Sequence, residues 1–454
     1  MSRLKRITIW IAILIPPFTF YLFLARSLAG LPVTDDYHSP LAFLLRWKSE
    51  SGLQHLIQIV TFQHTDYRLM FENAVIGIQY SILGHTNLKA LTLLGDLLVL
   101  PLCAVIYLIW REFGRPGEYT LLAFIPVSWI LFQLQYASAL DCVTVPLQII
   151  PVILFALLTC FLAPRPGALA FAGTLMSLVA CIASSGNGLF MVPIGVLIYL
   201  QRKQYKRLAV WCCLSGIACL VYFHGYDFTV EASHTHENNV VVSLFEHVSL
   251  GYGATFLGSI AAVTNPLPAI VFAIVLTAVF LLATRDRLFV RNPALYYSCL
   301  FFFITGIAVS GIRSNFGLAA ALGSRYRINS TVLVALLYLY LADKLYIMRV
   351  RPTLFRAATC LLAVLLIGFN FASDRAGARL ILSMQQKVEA AILRWQRHEP
   401  RPPANASASD DFAAKNEEKG FYEPDVPILT ESIRQGIYQL PPLPLRQSQT
   451  RFPF

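Results

Sequence analysis

The sequence predicts an all-α polytopic membrane protein, from its composition and from the length of its apolar segments. Of the 454 residues, 56% are hydrophobic and only 13% are charged. Soluble domains carry roughly 25% charged residues. The apolar residues are grouped in segments of about 20, the length at which a helix crosses a hydrocarbon core of about 30 Å. These two observations exclude a soluble domain.

About eleven apolar segments are predicted to span the membrane. We expect the first, 7–28, to be retained as a span, because it is long and lacks the small-residue motif of a cleaved signal peptide. Two pairs of short segments, the third with the fourth and the fifth with the sixth, would alternatively each form one broken hairpin. In chain order the segments are residues 7–28, 88–110, 119–135, 144–162, 167–183, 188–200, 207–224, 266–284, 294–312, 329–342 and 354–373.

The charged residues between these segments predict the orientation of the chain. Lysine and arginine accumulate in every second loop, starting with Arg3, Lys5 and Arg6, and acidic residues concentrate in the loops between. Cytoplasmic loops carry such an excess of basic residues. We therefore expect a cytoplasmic N-terminus, an odd number of crossings and an outward C-terminus. The net charge of +11 does not indicate nucleic-acid binding, which needs basic residues clustered on one soluble face.

The first outer loop, residues 29–87, is long enough to contain structure of its own. Two amphipathic segments within it, Leu41–Trp47 and Leu53–Phe62, favour helices that lie in the plane of the membrane interface. The longest outer loop is thus the first place to look for a functional site.

The chain divides into a transmembrane domain, residues 1–375, and an outward-facing, partly flexible tail, residues 376–454. Within the tail, Pro400–Glu418 is rich in proline, alanine, serine and charge, a composition typical of a flexible linker. Apolar residues return at 436–442. The sequence leaves open whether the tail folds back over an outer site or simply extends.

An acidic pair, Asp35 and Asp36, follows the first span after the short break Ala29–Pro32. Two neighbouring carboxylates repel, so the pKa of one tends to rise while the other stays ionised. Such a pair can take a proton from an acceptor or bind a cation. The alternative is an acidic start to a loop that simply faces water.

A second polar stretch in the same loop contains His64, Arg68 and Glu72. If the stretch is helical, these three side chains lie on one face at i, i+4 and i+8. An imidazole, a guanidinium and a carboxylate would then line one side of a cavity. The alternative is an i,i+4 ion pair that stabilises an interfacial helix.

Arginines near the outer surface run against the general charge pattern. Ser324-Arg325-Tyr326-Arg327 immediately precedes the tenth span, and Arg313 directly follows the ninth. A guanidinium offers a planar fork suited to phosphate, so the arginines would bind an anionic lipid head group. The alternative is arginine side chains that reach outer-leaflet phosphates without specificity.

Two further features bear on the site. Asn187 lies in Ser184–Gly188, where two glycines allow close backbone approach, so the segment would line the same cavity or form a tight turn. The nine cysteines lie nearly all inside apolar segments and show no metal-ligand spacing. We predict no cofactor and no metal site, and leave a divalent cation open.

Taken together, this layout resembles the GT-C class of integral-membrane glycosyltransferases. The resemblance covers roughly residues 1–375. More narrowly, bacterial GT-C-like membrane proteins share the pattern, and a pilin arabinosyltransferase is one such member type. The motifs that carry it are Asp35-Asp36-Tyr37, the stretch from His64 to Arg68, Asn187-Gly188 and Ser324-Arg325-Tyr326.

The resemblance implies transfer of a sugar from a polyprenyl-phosphate donor to an acceptor glycan, lipid or protein such as a pilin. The reaction would take place at the periplasmic face of the bacterial inner membrane. Asp35 would be the general base, with Asp36 as helper or alternate. The remaining site residues would bind substrate, the arginines at the phosphate: His64, Arg68, Glu72, Asn187, Arg313, Arg325, Tyr326 and Arg327.

Two other classes of function compete with this interpretation. A transporter or flippase of lipid-linked sugars would also need polar outer loops and a cationic lipid site. However, coupled transporters usually carry ionisable residues inside their spans, where this chain has few, Asp96 among them. A non-catalytic scaffold would be favoured if the outer polar residues do not converge in space.

Overall fold

A computed structural model describes residues 3–64, 67–228, 248–348, 352–397 and 425–442. Nearly all of these residues are helical, apart from connecting turns and one short hairpin of strands β1 (Gln63–His64) and β2 (Tyr67–Arg68). In chain order the α-helices are α1 (Arg3–Ser27), α2 (Ala42–Ser49), α3 (Leu53–Thr61), α4 (Met70–Leu83), α5 (Leu88–Leu97), α6 (Val99–Arg111), α7 (Gly117–Leu131), α8 (Thr144–Leu162), α9 (Ala168–Ser184), α10 (Met191–Gln201), α11 (Tyr205–Phe223), α12 (Leu250–Leu257), α13 (Pro266–Arg285), α14 (Leu288–Arg291), α15 (Pro293–Arg313), α16 (Arg327–Ile347), α17 (Pro352–Gln396) and α18 (Val426–Arg434).

The predicted class, a helical multi-pass membrane protein, is confirmed. By length and composition, seven helical segments in the described part of the chain can cross a membrane: Arg3–Ser27, Leu88–Arg111, Thr144–Leu162, Tyr205–Phe223, Pro266–Arg285, Pro293–Phe316 and Ser324–Ile347. Three shorter apolar helices accompany them, at Gly117–Leu131, Ala168–Ser184 and Gly186–Gln201. The total of eleven crossings stays a prediction.

Burial separates the centre of the bundle from its lipid-facing surface. In α8, 78% of the most apolar window is buried, against 28% in α1 and 17% in α11. Exposed apolar side chains on α1 include Ile11 and Leu14. Helix α8 is therefore the central element, and its first residue, Thr144, takes part in the site described below.

Local sequence accounts for where several helices begin. Asn265-Pro266 and Asn292-Pro293 start α13 and α15, with the asparagine side chain accepting a backbone N–H of the first turn at 2.9 Å and 3.0 Å. Proline suits this position because its missing N–H would have no helical partner there. The cap signals in the sequence thus agree with the helix boundaries.

Basic loops that are distant in sequence meet at one end of the bundle, here called the basic end. The buried carboxylate of Asp343 binds Arg115 at 2.6 Å and also binds Arg291. Next to it, Lys344 binds Asp286 at 2.7 Å. Alternating crossings require such a grouping, since every second loop must return to the same side.

Helix α16 links the basic end to the opposite end of the bundle. Asp343 lies near its C-terminus, and Arg325 lies two residues before its first residue, Arg327. At 1.5 Å per residue, a helix of 21 residues is about 30 Å long. Arg325 is therefore separated from the basic end by roughly the thickness of a membrane core.

The segment predicted as the first outer loop, residues 29–87, contains the two predicted amphipathic helices. They are observed as α2 and α3, and α3 exposes Leu53, Leu56 and Ile57 along one apolar side. By contrast, the helix predicted through His64, Arg68 and Glu72 is wrong. Residues 63–64 and 67–68 form the β1–β2 hairpin, and α4 begins only at Met70.

The division between a transmembrane domain and a tail at residues 375–376 stays a prediction. Helix α17 is 45 residues long and passes through the expected boundary without a break. The predicted linker Pro400–Glu418 lies outside the described residues. Beyond it, residues 425–442 pack against the first outer loop, where Leu429, Ile437 and Tyr438 are buried.

Candidate functional site

Three predicted site residues from distant parts of the sequence meet at the end of the bundle opposite the basic end. One oxygen of Asp35 lies 3.6 Å from Nη1 of Arg325, and the other lies 3.9 Å from Nε2 of His64. The side chains of Asp35 and Arg325 are 28% and 36% exposed, whereas His64 is only 5% exposed. The carboxylate is thus held between two nitrogen groups and stays open to a ligand.

The β1–β2 hairpin explains how His64 reaches Asp35. Its register pairs His64 with Tyr67 and Gln63 with Arg68. Successive side chains of a strand point to opposite faces, so each cross-strand pair shares a face. The rings of His64 and Tyr67 are 5.6 Å apart on one face, and Arg68 lies on the other. Sequence reasoning missed Tyr67 because it assumed a helical period in place of a period of two.

Arg68 consequently points away from the open site. Its side chain is fully buried, and its Nη1 donates to the carbonyl oxygen of Tyr222 at 2.9 Å. Its backbone N–H donates to the Tyr222 hydroxyl at 3.3 Å. Within the described residues, Nε and Nη2 of Arg68 have no hydrogen-bond partner. This geometry places Arg68 between the hairpin and α11, and its predicted contact with the lipid phosphate stays untested.

Asp36 differs sharply from Asp35, although the two are adjacent. Only 1% of it is exposed, and its oxygens accept backbone N–H groups of Val33 at 3.0 Å, Val143 at 2.8 Å and Thr144 at 3.4 Å. Burial raises the pKa of Asp36 to about 8, against the opposing effect of these N–H donors. Asp36 therefore fastens the loop to the N-terminus of α8, and Asp35 is the member of the pair that faces solvent.

Glu72 lies behind the same loop, also fully buried. Its Oε1 accepts hydrogen bonds from the hydroxyls of Ser39 at 2.8 Å and Thr144 at 3.0 Å. Among the described residues, Oε2 has no partner. Burial raises the pKa of Glu72 to about 8. In this conformation Glu72 joins the loop, α4 and α8, and does not reach the open side of the site.

The raised pKa of Glu72 makes stability depend on pH. The folded protein retains the proton up to about pH 8, while the unfolded chain releases it near 4.5. The resulting stabilisation is complete below the unfolded value and is lost as pH rises through the folded value. Glu72→Gln keeps the shape and cannot ionise. Between pH 5 and pH 8 this loss of stabilisation amounts to roughly 3–4 kcal/mol, so for a chain of this size we expect Glu72→Gln to reduce the loss of Tm over that range by about 3–4 °C.

Thermal unfolding in detergent at the two pH values measures this effect. The matched control is Glu50→Gln, since Glu50 is exposed. An unchanged slope in Glu72→Gln would show that Glu72 does not titrate in this range.

Arg325 and Arg327 point in opposite directions, Arg325 toward the open site and Arg327 into the protein. The guanidinium of Arg325 lies 5.2 Å from the ring centre of Tyr326, and that of Arg313 lies 5.7 Å from the ring of Phe316. Arg313 is close enough to act electrostatically on Arg325. Arg325 thus stands at the open site with Tyr326 against it and a second cation nearby.

Arg327 points into the protein. It is 8% exposed and donates to the carbonyl oxygens of Gln135 at 3.2 Å, Leu322 at 3.2 Å and Val263 at 3.3 Å. These contacts close the turn that precedes α16. Its observed contacts support the fold around Arg325, and the predicted phosphate contact has no counterpart among them.

Asn187 lies in the helical turn Gly186–Phe190, next to Tyr222. A Cβ at Gly188 would come within 2.2 Å of the Cys181 carbonyl oxygen, so only glycine fits there. A Cβ at Gly186 would lie 3.2 Å from the Tyr222 hydroxyl. The segment is therefore next to the residues that hold Arg68. The buried Oδ1 of Asn187 has no partner among the described residues.

Metal sites and cavities were searched for within the described ranges. No group of three or more His, Cys, Asp or Glu side chains there is arranged to hold a metal. A cavity of about 700 Å³ lies at the basic end and is lined by Arg6, Arg111 and Arg115 among others. It contains none of the predicted site residues, so the site rests on the convergence of side chains rather than on this cavity.

Comparison with protein-family models, with curated proteins and with solved structures found no match for this chain.

Proposed function

We propose that the chain is a membrane glycosyltransferase of GT-C type. It transfers a sugar from a polyprenyl-phosphate donor to the hydroxyl of a glycan, lipid or protein acceptor at the outer face of a bacterial inner membrane. The observation that carries the proposal is the solvent-accessible Asp35 carboxylate between Arg325 and His64. A carboxylate beside a guanidinium supplies the two groups such a transfer requires, a proton acceptor and a cation for phosphate.

In the proposed reaction, Asp35 removes the proton from the acceptor hydroxyl. The acceptor oxygen forms a bond to the anomeric carbon of the sugar, and the bond from that carbon to the phosphate oxygen breaks. The electron pair goes to the phosphate, whose growing charge Arg325 stabilises, with Arg313 close by. His64 orients Asp35 or the sugar from the other side.

The proposed orientation has the N-terminus in the cytoplasm, eleven crossings and an outward C-terminus. Support comes from the tail, since residues 425–442 pack against the first outer loop. The two regions therefore lie at the same end of the bundle. An odd number of crossings follows if the N-terminus lies on the other side. Helix α17 would supply the eleventh crossing.

Mass analysis of surface glycans, glycolipids and glycoproteins in a strain that lacks this gene tests the proposed function. We expect one sugar to disappear from one acceptor class and the unused polyprenyl-phosphate sugar to accumulate on the outer leaflet. Accumulation on the cytoplasmic leaflet would instead favour the transporter or flippase. Unchanged glycans and lipids would overturn the proposed function.

A further inference from the structure

We propose that residues 425–442, here called the strap, position the loop that carries Asp35 and are needed for the geometry of the site. The catalytic role of the strap rests on the proposed function. Its structural part, that the strap restrains residues 30–38, can be tested without any assay of transfer. The C-terminal segment would then take part in positioning the site.

Polar contacts join the strap to the start of the loop and to its far side. Asp425, which is 3% exposed, lies 2.8 Å from Nε2 of His38. At the other end, the Tyr438 hydroxyl donates to the carbonyl oxygen of Gly30 at 2.9 Å. The strap therefore contacts the chain both five residues before Asp35 and three residues after it.

Further contacts anchor the strap itself. The backbone N–H of Thr86 donates to the carbonyl oxygen of Ile437 at 2.7 Å, and Lys48 binds the carbonyl oxygen of Gln435. The buried strap side chains Leu429, Ile437 and Tyr438 pack in one apolar cluster with Tyr37 of the first outer loop, Leu88 of α5 and Leu147 of α8. Burial of this size keeps the strap in place.

The loop is consequently held from two directions. Asp36 binds the N-terminus of α8, and the fully buried Tyr37 belongs to the cluster that the strap completes. Asp35 lies between the residue fixed to α8 and the residues fixed by the strap. A displacement of about 1 Å can lower a rate by about 100-fold. Loosening one side of the loop should therefore disturb the 3.6 Å approach of Asp35 to Arg325.

The ion pair between His38 and Asp425 adds a dependence on pH. The hydrogen bond with Asp425, and to a smaller degree the charge of Asp35, raise the pKa of His38, and its partial burial opposes them. The imidazolium of His38 and the carboxylate of Asp425 are therefore paired at pH 6, and the ion pair is lost when pH rises through the raised pKa of His38. If the pair positions the loop, the difference in kcat between the wild type and Asp425→Asn should disappear as pH rises through the pKa of His38.

Full-length variants in detergent or nanodiscs test the strap. Asp425→Asn removes the ion pair, and Asp425→Glu restores a carboxylate. Thr430→Ala is the matched control, because Thr430 is exposed on the same helix, α18. Hydrogen exchange of the backbone amides at 33–38 is expected to rise about tenfold in Asp425→Asn at pH 6, and to stay unchanged in the control. Equal exchange in the wild type and Asp425→Asn would overturn the strap.

Activity then tests the positioning role. At pH 6 we expect Asp425→Asn to lower kcat for transfer about tenfold with KM within about twofold. The wild type should approach the variant as pH rises through the pKa of His38, and Asp425→Glu should recover most of the rate. A ratio that stays constant with pH would overturn positioning by this pair. If the wild type itself transfers no sugar, the proposed function fails, while hydrogen exchange still decides on the strap.

Discussion

Asp35→Asn is expected to lower kcat for sugar transfer by about 1000-fold, with KM nearly unchanged. The amide keeps the size of the side chain and removes the proton acceptor, and general base catalysis contributes about 10²–10⁴-fold. The fold should tolerate the change, because Asp35 is partly exposed and its two ion-pair contacts, at 3.6 Å and 3.9 Å, exceed hydrogen-bond length. Transfer of a labelled sugar from a polyprenyl-phosphate donor measures the effect.

The neighbouring carboxylate provides the control. Asp36 accepts three backbone N–H groups, so Asp36→Asn would bring an amide N–H against at least one donor. The unsatisfied buried groups should cost about 1–3 kcal/mol of stability. We expect a lower Tm and a smaller loss of activity per folded molecule than in Asp35→Asn. Wild-type activity in Asp35→Asn would contradict its assignment as base.

Arg325→Ala is expected to lower kcat by about 10²–10³-fold and to raise KM for the lipid donor. The reason is electrostatic, since removal of one preorganised group that stabilises a developing negative charge typically has an effect of about this size. Arg325→Lys should recover only part of the rate, because an ammonium keeps the charge but lacks the planar fork. The same transfer assay, with donor concentration varied, separates the two constants.

Arg327 is the matched control, two residues away on the same turn. Because its guanidinium donates to three backbone carbonyl groups, two of them buried, Arg327→Ala should lower Tm. Arg325→Ala, at a side chain 36% exposed, should leave Tm within about 2 °C. Equal effects of both substitutions on Tm and on kcat would mean that neither arginine has a specific role at the phosphate.

The convergence of Asp35 with Arg325 could be anticipated from sequence, because charge alternation places both on the same side of a membrane. The span that separates Arg325 from the basic end is visible as α16. Membrane topology does not predict how far apart two residues lie on the same side of the membrane. The approach of two residues 290 positions apart depends on how the turn before α16 packs against residues 134–139 and on how the first loop is fixed to the N-terminus of α8.

The spacing of residues in the sequence did not predict which way the side chains of the site point. His64, Arg68 and Glu72 fit a helical period, but the two-residue strands of the hairpin turn His64 toward Asp35 and Arg68 away from it. Likewise, Arg325 and Arg327 look equivalent in sequence, and the turn before α16 sends one outward and the other inward. Such short elements carry too few residues for a periodic signal.

The partners of the strap could not be predicted, for a different reason. Ile437 and Tyr438 show an apolar signal at the sequence level, but their partners, Thr86 and Gly30, lie about 350 and 410 positions earlier. Nothing local specifies such a pairing. Long-range contacts of this kind depend on how residues 425–442 pack against residues 30–91.

The most direct test is to supply the purified protein, in bilayers, with polyprenyl-phosphate sugars and candidate acceptors, and to follow the donor lipid by mass spectrometry. We predict that the wild type converts one donor to polyprenyl phosphate with the sugar bound covalently to the acceptor. Asp35→Asn should leave that donor intact. Donor that crosses the bilayer unchanged, or cleavage that Asp35→Asn does not slow, would contradict a transferase centred on Asp35 and Arg325.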